Sequence, residues 1–334
     1  MKRKKNKNVF DQSIPKYNFK YGNLKAFFIK FVIGLLLCEL LPLLFFPFSI
    51  GFFILFSEID LSIKIFAVLF SFLISSYFFY LLFIKYNKIN ITNYVFYSNK
   101  IKKDFKFVFL SDLHIGQNRY ATNRLRLKKI ISLINSLDSD IVLFAGDFID
   151  EELCEDILIE LKDIRQNYKI GVFGNHDAHY LYLHKIYSIP IDVVNIIEQQ
   201  GIKILINSGI IIGDIYIYGV ADLWSNKVDF SNIDKDLINS KYSILLSHNP
   251  DIVDDVLRNE LNFDLILSGH NHSGQVDFLF LKFPVPSKYQ WLRKGIYSIS
   301  SNTKLLLTQG IGHSKTRVRI GTCSEICILE IKIK

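Results

Sequence analysis

Five short apolar runs, rich in β-branched and aromatic residues, each end in a polar turn that carries aspartate, asparagine or histidine. Phe107–Leu110 runs into Ser111-Asp112-Leu113-His114, and Ile141–Ala145 into Gly146-Asp147. Ile170–Phe173 is followed by Gly174-Asn175-His176-Asp177, and Ile244–Leu246 by Ser247-His248-Asn249-Pro250. The last run, Leu265–Leu267, leads into Ser268-Gly269-His270-Asn271-His272. Runs of this length and composition read as buried strands. Between them lie helical signals. Leu153, Ile157, Leu158, Leu161 and Ile164 share one helical face, Asn249-Pro250 opens a helix, and Gly201 follows the helix-like 192–200 stretch at a C′ position. The alternation predicts an α/β layered domain. It puts the polar turns at strand ends on one edge of a sheet, where such folds form their ligand crevice. In extended backbone, Asp112 and His114 would point to the same side, as would His270 and His272.

The converging groups are two carboxylates, one amide and four imidazoles: Asp112, Asp147, Asn175, His114, His248, His270 and His272. A mixed oxygen and nitrogen set favours Mn, Fe or Zn over Ca or Mg. Seven donors are too many for one metal with an open position, but they suit two divalent metal ions, with Asp147 as the natural bridge. Such a pair polarises a phosphoryl oxygen and activates water near neutral pH.

In this order, Asp-x-His, Gly-Asp, Gly-Asn-His-Asp, His and Gly-His-x-His resemble the calcineurin-like metallophosphoesterases over about residues 105–334. The resemblance implies a two-sheet β-sandwich flanked by helices. It implies that Asp112, His114, Asp147 and His272 hold one metal, and that Asp147, Asn175, His248 and His270 hold the other. His176 would contact substrate phosphate and assist the leaving group, and Asp177 would orient or tune His176. Gly274-Gln275-Val276, the 285–289 run Val-Pro-Ser-Lys-Tyr and the 308–312 run Thr-Gln-Gly-Ile-Gly resemble a membrane-anchored bacterial branch. That branch includes diphosphatases acting on UDP-diacylglucosamine. The chain departs from its pattern at Thr322-Cys323-Ser324-Glu325, where a Cys-Pro-Pro-Glu-like run is common, and at His313-Ser314.

Upstream the chain changes character. From Phe31 to Ser57 only Glu39 is charged, and Ile65–Ile84 has no charge at all. Each stretch is long enough to cross a bilayer as a helix. Glu39 would cost about 3 kcal/mol at mid-membrane, and Pro42 and Pro47 would kink the first helix. Nine Lys or Arg precede Phe31, and Lys85, Lys88, Lys100, Lys102 and Lys103 follow Ile84. The positive-inside rule then puts both ends in the cytoplasm. The expected order is a basic segment (1–30), a two-helix transmembrane hairpin (31–84), a linker (85–104) and the catalytic domain (105–334), at the cytoplasmic face of the inner membrane. The rival reading is a pair of buried core helices. Much of the +8 net charge lies at the N-terminus, across the anchor from the site, so a lipid bilayer and a phosphate-ester substrate are the expected partners, and nucleic acid is not.

Isolated residues carry less. Four scattered cysteines without a CxxC pair read as reduced thiols. His179 would line the cleft, and His184 would sit on a solvated face. Asn118, Arg119 and Arg124 would meet a second phosphate or lie on a solvated surface. Asp222 reads as a turn residue, and Arg317 and Arg319 as a solvated strand face. A nuclease, a protein phosphatase and a non-catalytic scaffold on the same fold are the alternatives to a lipid-directed phosphoesterase.

Overall fold

The computed structural model describes residues 60–150, 153–177, 191–224, 228–279 and 281–334. In chain order its strands are β1 (Ile89–Ser98), β2 (Phe105–Leu110), β3 (Ile141–Ala145), β4 (Tyr168–Val172) and β5 (Lys203–Ile204). Then come β6 (Ser208–Ile212), β7 (Ile215–Gly219), β8 (Tyr242–Leu246), β9 (Leu265–Ser268), β10 (Asp277–Phe278) and β11 (Leu281–Lys282). The last three are β12 (Gly295–Ser298), β13 (Lys304–Leu307) and β14 (Ser324–Ile333). They build two six-stranded sheets, ordered β1-β14-β2-β3-β4-β5 and β12-β13-β9-β8-β7-β6, plus the small hairpin β10–β11. Both large sheets are mixed. The core strands β2, β3 and β4 run parallel, as do β7, β8, β9 and β13, while β14 runs antiparallel to β2.

The two sheets stack face to face. Phe107 and Phe109 of β2, Leu143 of β3 and Ile170 of β4 pack on Ile215, Ile244, Leu265 and Leu306 of the second sheet. Their strand neighbours point the other way. Val108, Leu110, Val142 and Phe144 meet the helix Arg124–Ser136 through Leu127, Ile130, Ile131 and Ile134. Both faces of these strands are buried, so they read as unbroken apolar runs rather than alternating ones. Asn123 caps that helix by accepting from the Arg126 amide at 3.0 Å. On the outer face of the second sheet, Tyr218, Leu245 and Ile266 pack under Ile238, Val253 and Val256. The result is a helix–sheet–sheet–helix sandwich, in keeping with the expected class.

Three expectations need correction. The strands bearing the polar turns do not share a sheet: β2, β3 and β4 belong to the first, β8 and β9 to the second. The crevice therefore lies where the ends of two stacked sheets meet. Residues 89–98, expected to be linker, form β1 and pair with β14 over ten positions, so this segment is part of the domain. The continuous helical face expected over 153–164 is a short helix, Glu155–Leu158, followed by a 3₁₀ turn, Ile159–Asp163, although Ile157, Leu158, Leu161 and Ile164 are buried as the spacing implied. The caps behave as read: Asn249 accepts from the Asp251 amide at 2.9 Å, and Gly201 takes φ +79 after the helix Ile191–Glu198.

The second uncharged stretch forms the helix Leu61–Phe79, capped by Asp60 and continued by a π turn, Tyr80–Ile84, and a 3₁₀ turn, Lys85–Asn87. These 27 residues (Leu61–Asn87) make the helix long and apolar enough to cross a membrane. Among the described residues its foot packs on the domain, where Leu81 and Leu82 meet Val276 and Val318. Above that, Phe66 and Leu73 are 68% and 65% exposed among the described residues, which speaks against the core-helix reading for this segment. The first uncharged stretch (Phe31–Ser57), its Glu39, Pro42, Pro47 and Cys38, and the basic tail lie outside the described residues, so the two-helix anchor is reduced to one described candidate span.

Candidate active site

The backbone at the site is unusual. Asp112, His114, Asp147, His270 and His272 all have positive φ, between 44° and 71°. Such conformations are uncommon for residues with a side chain, cost about 1–3 kcal/mol each, and gather at functional sites. This corrects the extended-backbone reading: Asp112 and His114 meet because two successive tight turns aim them, not because a strand does. Close packing holds the turns. A Cβ on Gly174 would lie 2.2 Å from Asp147 Oδ1, and one on Gly269 would lie 2.1 Å from Ser111 Oγ. The main chain ties strand ends together as well, since the Asp112 amide donates to the Gly146 carbonyl and the His114 amide to that of Asp147, both at 2.9 Å.

Two clusters result. In the first, His272 Nε2 lies 3.2 Å from Asp112 Oδ1 and 3.0 Å from His114 Nε2. In the second, His248 Nε2 lies 3.2 Å from Asp147 Oδ2, 3.1 Å from His270 Nδ1 and 3.1 Å from Asn175 Oδ1. Asp147 Oδ2 is also 3.6 Å from His114 Nε2, so one oxygen stands between the clusters. The other, Oδ1, accepts from the His176 amide at 2.9 Å. Donor atoms of Asp112, His114 and His272, and of Asp147, His248 and His270, converge closely enough to hold a metal ion each. All seven predicted ligands are thus brought together.

The outward ring atoms test whether a metal fits. His248 Nδ1 lies 2.7 Å from the Ala145 carbonyl oxygen, and His270 Nε2 lies 2.9 Å from that of Pro286. His114 Nδ1 is 3.3 Å from Asp150 Oδ1. The Ala145 and Pro286 carbonyls can take the outer N–H of His248 and His270 and so turn an unprotonated nitrogen inward, as metal-binding histidines require, while the Asp150 carboxylate stands behind His114. Without a cation, the inward nitrogens face one another at about 3 Å among buried carboxylates. The electrostatics respond to that crowding. Burial disfavours a charge on His248, yet Asp147 and Asp112 outweigh it and raise its pKa to about 10. Burial and the charge on His248 push His270 down to about 3. The donor set therefore fits two divalent cations.

His176 lies beside the clusters, with its ring perpendicular to that of His114 at 4.5 Å. Its Nδ1 is 3.2 Å from the Asp150 carbonyl oxygen, and the residue lines the cleft. Asp177 is placed otherwise than expected. Its oxygens accept from the amides of Asp147, Ile149 and Gly174 at 2.8–2.9 Å, so it fixes the Asp147 turn, while Asp150 holds the His176 ring. Burial and the nearby Asp147 charge raise the Asp177 carboxyl to about 7, against the pull of those amide donors.

Asp150 was missed by sequence reasoning. It is buried three positions after Asp147, and that recurrence of a carboxylate within one turn was the available signal. Asn118 donates to its Oδ2 at 3.1 Å and so serves Asp150 rather than a second phosphate. Arg124 pairs with Asp156 and Glu160 on a helix surface. Arg319, read as solvated, is buried: it donates to the carbonyls of Gln309, Gly312 and Cys323, and its Nη2 lies 3.2 Å from His272 Nδ1. Asp222 accepts from the Trp224 amide as a turn residue would. His313 is buried against Tyr86, while His179 and His184 lie outside the described residues. Cys154, Cys323 and Cys327 are free thiols.

The site opens into a cleft of about 480 Å³ lined by Asp147, Asn175, His176, His270 and His272. Trp224, Gln275, Pro284, Val285, Pro286 and Lys315 form its outer walls. Trp224, also missed, meets the His270 ring edge-on at 4.5 Å.

The chain is 34% identical over 245 residues to an uncharacterised metallophosphoesterase of Campylobacter jejuni, covering 70% of this chain and 61% of that protein. It is 27% identical over 282 residues to the UDP-2,3-diacylglucosamine pyrophosphatase LpxG of Chlamydia muridarum, covering 67% and 82%. A transmembrane protein with metallophosphoesterase domain from Danio rerio is 26% identical over 247 residues, covering 68% and 53%. The chain spans about three-fifths of the length of the first curated relatives it matches. Residues 105–274, which contain all seven converging donors, match the model of the calcineurin-like phosphoesterases, and the chain belongs to that family.

Proposed function

We propose that this chain is a membrane-anchored phosphoesterase that uses two divalent metal ions to hydrolyse a phosphodiester or diphosphate bond, with a nucleotide-linked lipid such as UDP-diacylglucosamine as the substrate class. The observation that carries the reading is Asp147 Oδ2, which stands between a histidine of each cluster. Asp112, His114, Asp147 and His272 would hold one ion, and Asp147, Asn175, His248 and His270 the other. Ions of the Mn, Fe or Zn kind would supply polarisation of the phosphoryl oxygens and a lowered pKa for bound water.

The protein's own groups do the rest. The αL turns fix the donor directions before substrate arrives, so little reorganisation is needed during reaction. His176 donates Nδ1–H to the Asp150 carbonyl and turns Nε2 to the cleft. An arriving phosphate favours the protonated ring, which then hydrogen-bonds a phosphoryl oxygen and passes its proton to the leaving-group oxygen. Trp224, Pro284 and Pro286 give the outer cleft an apolar wall suited to the non-reacting part of a substrate.

The lipid assignment rests on two supports: the exposed apolar helix Leu61–Phe79 and the likeness to the UDP-2,3-diacylglucosamine pyrophosphatase of Chlamydia muridarum. The charge on either side of the apolar stretches favours a catalytic domain on the cytoplasmic face. The test is a metal-supplemented activity panel on the full chain in detergent, comparing UDP-diacylglucosamine, a simple phosphodiester and single-stranded DNA. Preferred, chelator-sensitive cleavage of the lipid is expected. Preferred cleavage of DNA would replace this reading with a nuclease, and metal binding without turnover of any substrate would replace it with a scaffold.

A further inference from the structure

A second pocket, of about 260 Å³, lies at the foot of the apolar helix, behind the first cluster and apart from the cleft. Lys85, Lys88 and Lys294 ring it, Arg319 lies at its base, and Tyr80, Asn90 and Thr322 complete the wall. We propose that this pocket binds the phosphate of an anionic lipid headgroup.

Charge is the first argument. Four cations line the pocket, no carboxylate does, and none of the four forms an ion pair among the described residues. Lys85 donates to the Arg319 carbonyl at 2.8 Å and Lys294 to that of Gly321 at 3.0 Å. Those bonds fix the two ammonium groups at the rim and leave each with N–H donors to spare. Like charges gathered in one hollow repel one another. A phosphate would reverse the sign of that interaction and take up the spare donors.

Position is the second argument, and it selects a lipid over a soluble anion. The apolar surface of Phe79, Phe83 and Ile84 is exposed at the same end of the helix, and Tyr80 reaches from it into the pocket wall. Tyrosine followed by lysines is the residue order of a membrane–water boundary, and basic groups at that depth attract anionic headgroups. A lipid held there would cover the exposed rings with its chains while its phosphate met the lysines. A free phosphate would leave the rings in water.

This inference rests on the anchor part of the proposed function and is independent of hydrolysis. It is tested by binding alone, using native mass spectrometry of the purified full chain titrated with phosphatidylglycerol or phosphatidylcholine. One phosphatidylglycerol per chain is expected, held at least about tenfold more tightly than phosphatidylcholine. K88E/K294E should weaken it by about tenfold or more. K128E/K162E, on a separate lysine-lined hollow, should leave it unchanged. K88Q/K294Q, which adds no negative charge, should fall between wild type and K88E/K294E. Equal retention of the two lipids overturns the proposal without reference to any variant. So does equal weakening by both charge-reversal pairs, or full displacement by millimolar inorganic phosphate, which would mark a soluble-anion site.

Discussion

The two halves of the site are built from similar donors but supported differently. Behind the first cluster stand charges, with Asp150 against His114 and Arg319 against His272. Behind the second stand neutral carbonyls, those of Ala145 and Pro286, and its outer side faces Asn175, Trp224 and the cleft. Asp112 and His114 of the first cluster and His248 of the second are sealed from solvent, while His272 and His270, one from each cluster, border the cleft. Outer partners of metal ligands set ring orientation and basicity. The first half is thus backed by charged side chains and the second by neutral carbonyls. Asp147 belongs to both.

The sharpest way to break this division is Asp147→Asn. If Asp147 joins the halves, metal content measured by elemental analysis should drop in both, and turnover should fall by about 10³-fold or more. Retention of two ions per chain would contradict the shared role. His176→Ala comes next and should separate binding from chemistry, keeping both ions while the turnover number falls by about 10²–10⁴-fold. A change confined to KM would instead make His176 a binding residue only.

Asp150→Asn should cost about 10–100-fold in metal affinity or activity, mainly in the first half, because it removes the carboxylate behind His114. Competition with a chelator would show one ion leaving early while the other stays. If both leave together, the halves are not independent. The smallest effect belongs to Trp224→Ala, on the open side. Loss of one aromatic contact should raise KM by about 2–10-fold with little change in turnover number or metal content.

Much of the site was legible in the sequence. The ligand residues are the most polar members of short apolar stretches, and burial of a carboxylate or imidazole needs a paying partner. Strand positions were legible too: β3 spans the predicted 141–145, and the others differ only at their ends. Arg319 and Trp224 were not legible, and Asp150 was signalled only by its spacing from Asp147. Arg319 sits in an ordinary-looking strand-like run, and only the fold surrounds it with the carbonyls of Gln309, Gly312 and Cys323. Asp177 was visible as a polar residue, but its carboxylate serves the backbone amides of Asp147 and Ile149, distant in sequence, as well as the nearby Gly174.

The sequence by itself determined the donor chemistry, the order of the motifs, the strand and helix periods, and the presence of an apolar span ahead of the domain. These follow from side-chain type and local spacing, which act over a few residues. The tertiary structure decided that the site joins the ends of two sheets. It decided that left-handed turns rather than extended strands aim the ligands, and that β1 belongs to the domain through its pairing with β14. Those outcomes depend on contacts between segments far apart in the chain, where packing and hydrogen bonding across sheets override local preference.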